Sequence, residues 1–307
     1  MADYKTEKGF NRRVFFKGIT FGVFTSTLLT STGCQENTVK NSRSICFPKN
    51  AFKLGDFDIV SLSHVCFQFR TPQGKLLLVD PFFAPGFVWK DTWETHFTRP
   101  LVQIGDIKEC DAIFVSHIHG DHCDPDALVA LQKQTSAEII APASVLDYVK
   151  AKGGNEKLLK LAERGKHFEY GDLHLSTYGG YDALPEDKAR GLGSRDTLGR
   201  DDKFALTIQT GSTKLFYSGD CHELPPAAIG KKFDAMFCWP HGKDENLKAL
   251  CEGLDTNKFV IMHCGKFNPG KFYCNFDTTK QKKRIESLCH KIDVYIPEAS
   301  KEIMSRK

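Results

Sequence analysis

No two of the 11 cysteines in this 307-residue chain stand in a C-x-x-C spacing, so no compact disulfide framework can be read from the sequence. Cys66, Cys238 and Cys264 have apolar neighbours and are expected to be reduced and buried. Also missing is any run of basic residues interleaved with aromatics, and the formal charge is only +4, which excludes nucleic acid as an expected partner. Internal repeats and low-complexity tracts are absent as well, which excludes solenoids and propellers. The longest apolar stretch near the N-terminus, Ile19 to Leu29, is too short and too rich in Thr and Gly to remain as a bilayer-spanning helix. Apolar and charged fractions of 41% and 26% are those of an ordinary globular protein able to bury a sizeable core.

That N-terminal stretch is better explained as a signal. Paired Arg12 and Arg13 in "RRVFFK" precede it and small residues lead to Cys34 in "STGC", the order of an export signal. The arginine pair resembles the twin-arginine signal, although Asn11 stands where Ser or Thr is usual. "STGC" resembles the end of a lipobox, with Ser31 in place of Leu. Residues 1–33 are therefore expected to be an export signal and 34–55 a tether, with one domain over 56–307. The expected location is the bacterial cell envelope on the periplasmic side, with a lipid anchor at Cys34 as the only membrane contact. If Cys34 carries lipid, ten cysteines remain, which leaves an even set of bridges open.

Chemistry is concentrated in "SHIHGDHCD", residues 116–124. Imidazole nitrogen and carboxylate oxygen are common ligands of Zn²⁺, Fe²⁺ and Mn²⁺. If the apolar run "AIFVS" is a strand, His117 and His119 leave it on the same side, and Asp121 and His122 follow on the next bend. Gly120 between the pairs is expected to supply a backbone angle that a Cβ would forbid. Two adjacent metals are then plausible. "LFYSGD" and "FVIMHCG" end two further strand-like runs, which brings Asp220 and His263 to a sheet edge. Cys123 and Cys221, beside His122 and Asp220, are expected to pack rather than ligate.

The pattern along the chain is a meander ("FDIVSL", "VCFQFR", "KLLLVDPF") followed by alternation of strands and helices. Helices are expected from Pro125 to about Gln134, over "SVLDYVKAK", near 155–163, from about Glu245 and near 278–290. Asp124 is the expected cap of the first. Residues 81–108 have no clear period and read as an inserted loop. Such a mixture suggests an α+β protein with two sheets face to face and helices outside, rather than a doubly wound parallel sheet.

Taken together these motifs resemble the metallo-β-lactamase superfamily over about residues 56–297. The resemblance implies a four-layer αββα sandwich and a metal-dependent hydrolase holding one or two ions, Zn²⁺ first and Mn²⁺ or Fe²⁺ as alternatives. His117 and His119 match the ligands of the first metal. Asp121, His122 and His263 match those of the second, and Asp220 matches the carboxylate between them, with Asp121 orienting the attacking water. "SHVCFQF", "LLLVDPF" and "MHCGKF" further resemble the branch of ascorbate-6-phosphate lactonases and N-acyl phosphatidylethanolamine phospholipase D, in which the counterparts of His64 and Asp80 lie near the site. A buried core histidine and a strand-end turn explain His64 and Asp80 as well. The implied substrate is a small or lipid-like molecule with an ester, lactone, amide or phosphodiester bond.

One ligand of the family pattern is missing. The first metal should have a third histidine in the loop after "LHLSTY", yet no His lies between His174 and His222. By spacing Asp182 occupies that position, and a carboxylate can ligate the same metals. His241 is the substitute, and His174 is expected to be packed. A poorer first site leaves a non-catalytic, metal-binding lipoprotein as the competing reading.

Overall fold

The computed structural model describes residues 51–62, 65–83, 102–179, 202–220, 224–240, 242–263 and 278–297. All lie in one compact unit, Ser44–Lys307. The signal, most of the tether, the lipobox cysteine, His64, Asp182, Cys221, His241 and Cys264 fall outside the described residues.

Among the described residues the strands form two seven-stranded sheets, each in sequential strand order. The first holds β1 (Phe52–Leu54), β2 (Phe57–Ser61), β3 (Phe67–Arg70), β4 (Leu76–Val79), β5 (Ala112–Phe114), β6 (Glu138–Ala141) and β7 (Leu159–Leu161). The second holds β8 (His167–Tyr170), β9 (Leu173–Gly179), β10 (Phe204–Thr210), β11 (Thr213–Tyr217), β12 (Ala235–Cys238), β13 (Lys258–Ile261) and β14 (Asp293–Tyr295). In both, the first four strands pair antiparallel and the fourth to seventh pair parallel. The parallel strands are covered on both faces, which is why "LLLV", "AIF" and "AMFC" are unbroken apolar runs rather than alternating ones.

The inner layer joins the sheets. Phe57, Phe67, Phe69 and Phe114 from the first meet Leu206, Tyr217, Phe237 and Val260 from the second. Phe237 stands edge-on to Phe67 and Phe69, with ring centroids 5.1 and 5.3 Å away. Each such fully buried side chain contributes about 1.5–3 kcal/mol by leaving water. Helices α1 (Pro125–Thr135) and α2 (Ala143–Ala151) cover the outer face of the first sheet through Leu128, Leu131, Val145 and Val149. Helices α3 (Asp244–Gly253) and α4 (Thr278–Leu288) cover the second through Leu247 and Ile285. The layers are therefore α, β, β, α, as the sequence pattern predicts. Asp124 caps α1 by accepting from Ala127 N at 3.0 Å, and Pro125 opens the helix.

Three expectations need correction. The helix near 155–163 is a short 3₁₀ turn, Glu156–Leu158, leading into β7, because residues 159–161 pair with β6. Within the segment read as tether, Phe52–Leu54 is already a strand. It pairs with β2 across a two-residue Gly55-Asp56 turn in which Gly55 has φ +55°, and a Cβ there would sit 2.1 Å from Thr213 Oγ1. His174 is exposed rather than packed, since Leu173 and Leu175 take the inward positions of β9, and its Nδ1 lies 3.6 Å from Glu169. Cys66 and Cys238 are free and buried as expected, whereas Cys251 and Cys289 form a disulfide that ties α3 to the end of α4, with Cα atoms 6.3 Å apart.

Candidate metal centre

Every residue of the centre sits at the C-terminal end of a strand. Asp80 follows β4, Ser116 and the histidine loop follow β5, Asp220 follows β11, Trp239 follows β12 and His263 follows β13. Parallel pairing of β4 with β5 and of β11 with β12 and β13 puts these ends on the same edge of each sheet. The inner core holds the two edges together, and Phe204 N donates to Ser116 O at 3.0 Å across the gap.

Backbone strain is confined to a few points. Asp80 and His263 adopt left-handed φ values of 43° and 61°, uncommon for residues with a Cβ. Gly219, at φ +56°, lies so close to Ser116 that a Cβ would be 2.9 Å from the serine Cβ. Gly120, by contrast, has no positive φ; the ligand loop closes as His122 N and Cys123 N both donate to His119 O, at 3.0 and 2.8 Å. An ordinary turn therefore does what the sequence led one to expect of the glycine.

The ligand atoms fall into two groups, His117 with His119 and Asp220, and Asp121 with His122 and His263, each within 4.8 Å. Asp220 reaches both. Its Oδ2 lies 3.6 Å from His117 Nε2 and 4.0 Å from His119 Nδ1, and its Oδ1 lies 3.0 and 3.5 Å from the Nε2 atoms of His122 and His263. Asp121 Oδ2 is 3.0 Å from His263 Nε2 and 3.8 Å from His122 Nε2. Donors about 2.0–2.2 Å from a tetrahedral zinc stand about 3.3–3.6 Å from one another, so these spacings fit shared cations. His117 Nε2, His122 Nε2 and Asp220 Oδ1 are buried without a hydrogen bond of acceptable geometry. Buried polar atoms are rarely left so unless an ion or a water completes them, and nitrogen and carboxylate donors converging in this way suit an ion.

Asp80 organises the centre from beneath. Fully buried, it accepts from Ser116 N at 2.6 Å, Ser116 Oγ at 2.7 Å, His122 Nδ1 at 2.7 Å and Tyr217 Oη at 2.6 Å. Both tautomers follow. His122 must carry its proton on Nδ1 to donate to a carboxylate, which leaves Nε2 for a metal. Ser116 commits its proton to Asp80, so its 2.9 Å contact with His117 Nδ1 is an N–H donated to the hydroxyl, and His117 Nε2 is likewise left open. Burial and Asp80 together hold the Tyr217 hydroxyl well above its ordinary pKa, so it remains a donor.

The two groups differ electrostatically. Burial drives His117 well below the ordinary imidazole pKa, with His122 and His119 adding to the effect, and burial followed by the Lys203 cation lowers His119. Burial opposes charge on His122 too, but Asp220, Asp121 and Asp80 outweigh it and raise that pKa well above the usual value. His263 is pushed up to about 9, burial again being outweighed by Asp220 and Asp121. Asp220 is held well below the carboxylate range because His122, His263 and His117 overcome its burial.

Of the residues singled out from sequence, the structure brings together His117, His119, Asp121, His122, Asp220 and His263, while Asp182 and His241 lie outside the described residues. Cys123 packs under α1 with its thiol pKa pushed up by burial. Three contributors were missed. Ser116 and Tyr217 bind Asp80, and Trp239 stacks on His263 at 4.0 Å between centroids and 15° between planes. A clue to Ser116 was its place just ahead of the first histidine; Tyr217 and Trp239 had none, since both end apolar strands.

The family described as the beta-lactamase superfamily domain matches residues 76–244. A curated protein named as a UPF0173 metal-dependent hydrolase, from Rubrobacter xylanophilus, is 36% identical over 100 residues, which cover 33% of this chain and 36% of that one. The match thus spans about a third of the curated relative. Among solved structures, an isothiocyanate hydrolase from Delia radicum gut bacteria is 17% identical with a TM-score of 0.56, covering 78% of this chain and 96% of that one. A novel metallo hydrolase from the archaeon Ignicoccus hospitalis is also 17% identical, with a TM-score of 0.55 and coverage of 78% and 95%. At this identity the solved structures show a shared fold.

Proposed function

Because the chain belongs to the metallo-β-lactamase superfamily, we propose that it is a metal-dependent hydrolase of a small or lipid-like substrate, acting on an ester, lactone, amide or phosphodiester bond. The observation that carries this reading is the convergence of buried, outward-aimed Nε2 atoms and a shared carboxylate at one edge of the sandwich. His117, His119 and Asp220, completed by Asp182, would hold one cation, and Asp121, His122, Asp220 and His263 the other. Nitrogen and oxygen donors at this spacing suit Zn²⁺ first, and Mn²⁺ or Fe²⁺ if Asp182 adds a further anionic oxygen. A cation so held lowers the pKa of water and polarises the bond to be broken.

The chain's own residues do the rest. Asp80 and Ser116 fix the tautomers of His122 and His117, so no reorganisation is needed when the site fills. The Asp121 side chain is 19% exposed against 8% for Asp220, which puts it where water enters and lets it orient the attacking water. Trp239, half-buried and stacked on His263, would put an apolar wall beside a cation held there.

The test is elemental analysis of purified protein together with hydrolysis of a nitrophenyl ester, a lactone, an anilide and bis(nitrophenyl) phosphate. Fully metallated protein inactive on all four would overturn the reading. Export is a further part of the proposal and rests on Arg12, Arg13 and the small residues before Cys34. Replacing Arg12 and Arg13 by Lys should strand a precursor in the cytoplasm, and Cys34→Ala should give unlipidated protein.

A further inference from the structure

Arg284 belongs to α4, outside the second sheet, yet its guanidinium holds the connection that leaves β12 beside the metal centre. Its base is fixed, because Ile285 is fully buried under α4 and Cys289, at the end of that helix, is bonded to Cys251 of α3. From there Nη1 donates to Pro240 O at 3.1 Å, Nη2 to Gly242 O at 2.8 Å and Nε to Asp244 Oδ1 at 2.7 Å. Gln281 Oε1, 3.3 Å from Nη1, steadies the same head from within α4.

These contacts are unequal. The Asp244 side chain is 62% exposed, so its ion pair with Arg284 is screened by water and adds little. Pro240 is buried and lies beyond the last ladder pair of β12, Cys238 with Ile261, so its carbonyl depends on a donor from outside the sheet. A guanidinium can serve it and Gly242 at once through a rigid fork, whereas an ammonium of the same charge has a single nitrogen. Trp239 is thereby held from both flanks. On one side Met262 N donates to Cys238 O at 3.1 Å, and on the other Arg284 grips Pro240. The indole between them lies on the His263 ring, with centroids 4.0 Å apart.

We propose that Arg284 is a positioning residue for the substrate cleft: by clamping the carbonyls of Pro240 and Gly242 it holds Trp239 flat against His263, so a helix on the outside of the sandwich sets the wall beside the second metal position. The role of that wall rests on the hydrolase reading; the clamp on Trp239 does not. Among the described residues Arg284 touches no ligand of the centre. It acts through the indole, and its loss therefore reaches substrate affinity before it reaches turnover.

The experiment compares the full, metal-loaded chain with Arg284→Lys, which keeps the charge and loses the fork, with Asp244→Asn, which loses the ion pair alone, and with Trp239→Leu. With 5-fluorotryptophan incorporated, the chain's three tryptophans give three fluorine resonances, and Trp239→Leu identifies the one from Trp239. That resonance should shift or broaden in Arg284→Lys and keep its parent position in Asp244→Asn. On whichever of the four substrates above the parent turns over best, Arg284→Lys should raise KM about threefold while kcat and metal content hold. Combined with Trp239→Leu it should add nothing further, because both changes remove the same wall. An unmoved resonance in Arg284→Lys, or a KM effect that multiplies with that of Trp239→Leu, overturns the inference. So does an equal shift in Asp244→Asn, since the exposed ion pair would then do the holding. Arg284→Gln takes the place of Arg284→Lys if the latter does not fold. Should the parent hydrolyse none of the four, the hydrolase reading fails while the fluorine spectrum still decides the clamp.

Discussion

The two ligand groups share Asp220 yet differ in almost every other respect. The His117 and His119 group has imidazoles driven toward neutrality by burial, and among the described residues Asp220 is its one carboxylate. Carboxylates surround the His122 and His263 group and raise its histidines, and Asp80 grips one of them from below. The second group is thus the stronger cation trap, and its protons are the competitor. The first needs no proton removed, but among the described residues it has only Asp220 with which to offset a metal's charge.

The largest expected effect comes from removing what the groups share. Asp220→Ala should empty both positions and lower activity by more than about a hundredfold, beyond the 10- to 100-fold typical of a ligand's hydrogen-bond partner. Retention of one full metal equivalent would show that the groups are independent. Next, His263→Ala should empty the second position and His119→Ala or Asp182→Ala the first, each losing about one metal equivalent; the fold should persist in the two histidine variants, because His119 and His263 follow strand ends and belong to none of the apolar clusters. If Asp182→Ala keeps full stoichiometry, the first group draws its third ligand from elsewhere, with His241 next in line. Asp182→His should restore binding and favour Zn²⁺. Asp80→Asn should weaken metal at the second position by about 10- to 100-fold and spare the first more, and equal weakening of both would mean that Ser116 transmits the change to His117.

A pH series sharpens the contrast further. In the metal-free protein His263 has its pKa raised to about 9, so below that pH a metal must displace its proton. Apparent affinity at the second position should rise with pH up to about 9, by at least about tenfold per unit because the raised His122 adds a second proton to displace, and rise less steeply above. The first position, with histidines already neutral, should change far less, which competition against a chelator on His119→Ala and His263→Ala proteins can separate. The smallest effect is expected from Trp239→Leu, a few-fold change carried by KM. A large fall in metal content there would make the indole a support of His263 rather than a wall of the cleft.

Much of this was legible in the sequence because the chemistry is local. Four candidate ligands lie within residues 117–122, and one strand-end acid, Asp220, and one strand-end histidine, His263, stand out against apolar runs. The layer order was legible for a similar reason, since strands covered on both faces and helices with one apolar stripe leave different periods. What was hidden depends on distance. Asp80 and its partners Ser116, His122 and Tyr217 are 36 to 137 residues apart, and a strand-end acid looks the same whether it closes a turn or organises a site. β7 was misread because "KLLKLA" suits a helix when isolated, and only pairing with β6 decides otherwise.

The repeated strand plan has a consequence for assembly. Residues up to β7 build one sheet with its two helices, residues from β8 build the other, and only residues 162–166 lie between. The first half carries His117, His119, Asp121, His122 and Asp80; the second carries Asp220 and His263. Neither fragment owns a complete ligand set, so a chain divided at that short connection would bind metal tightly only when its halves recombine. Metal uptake would then serve as a built-in indicator of complementation, reporting the moment at which the inner faces of the two sheets find each other.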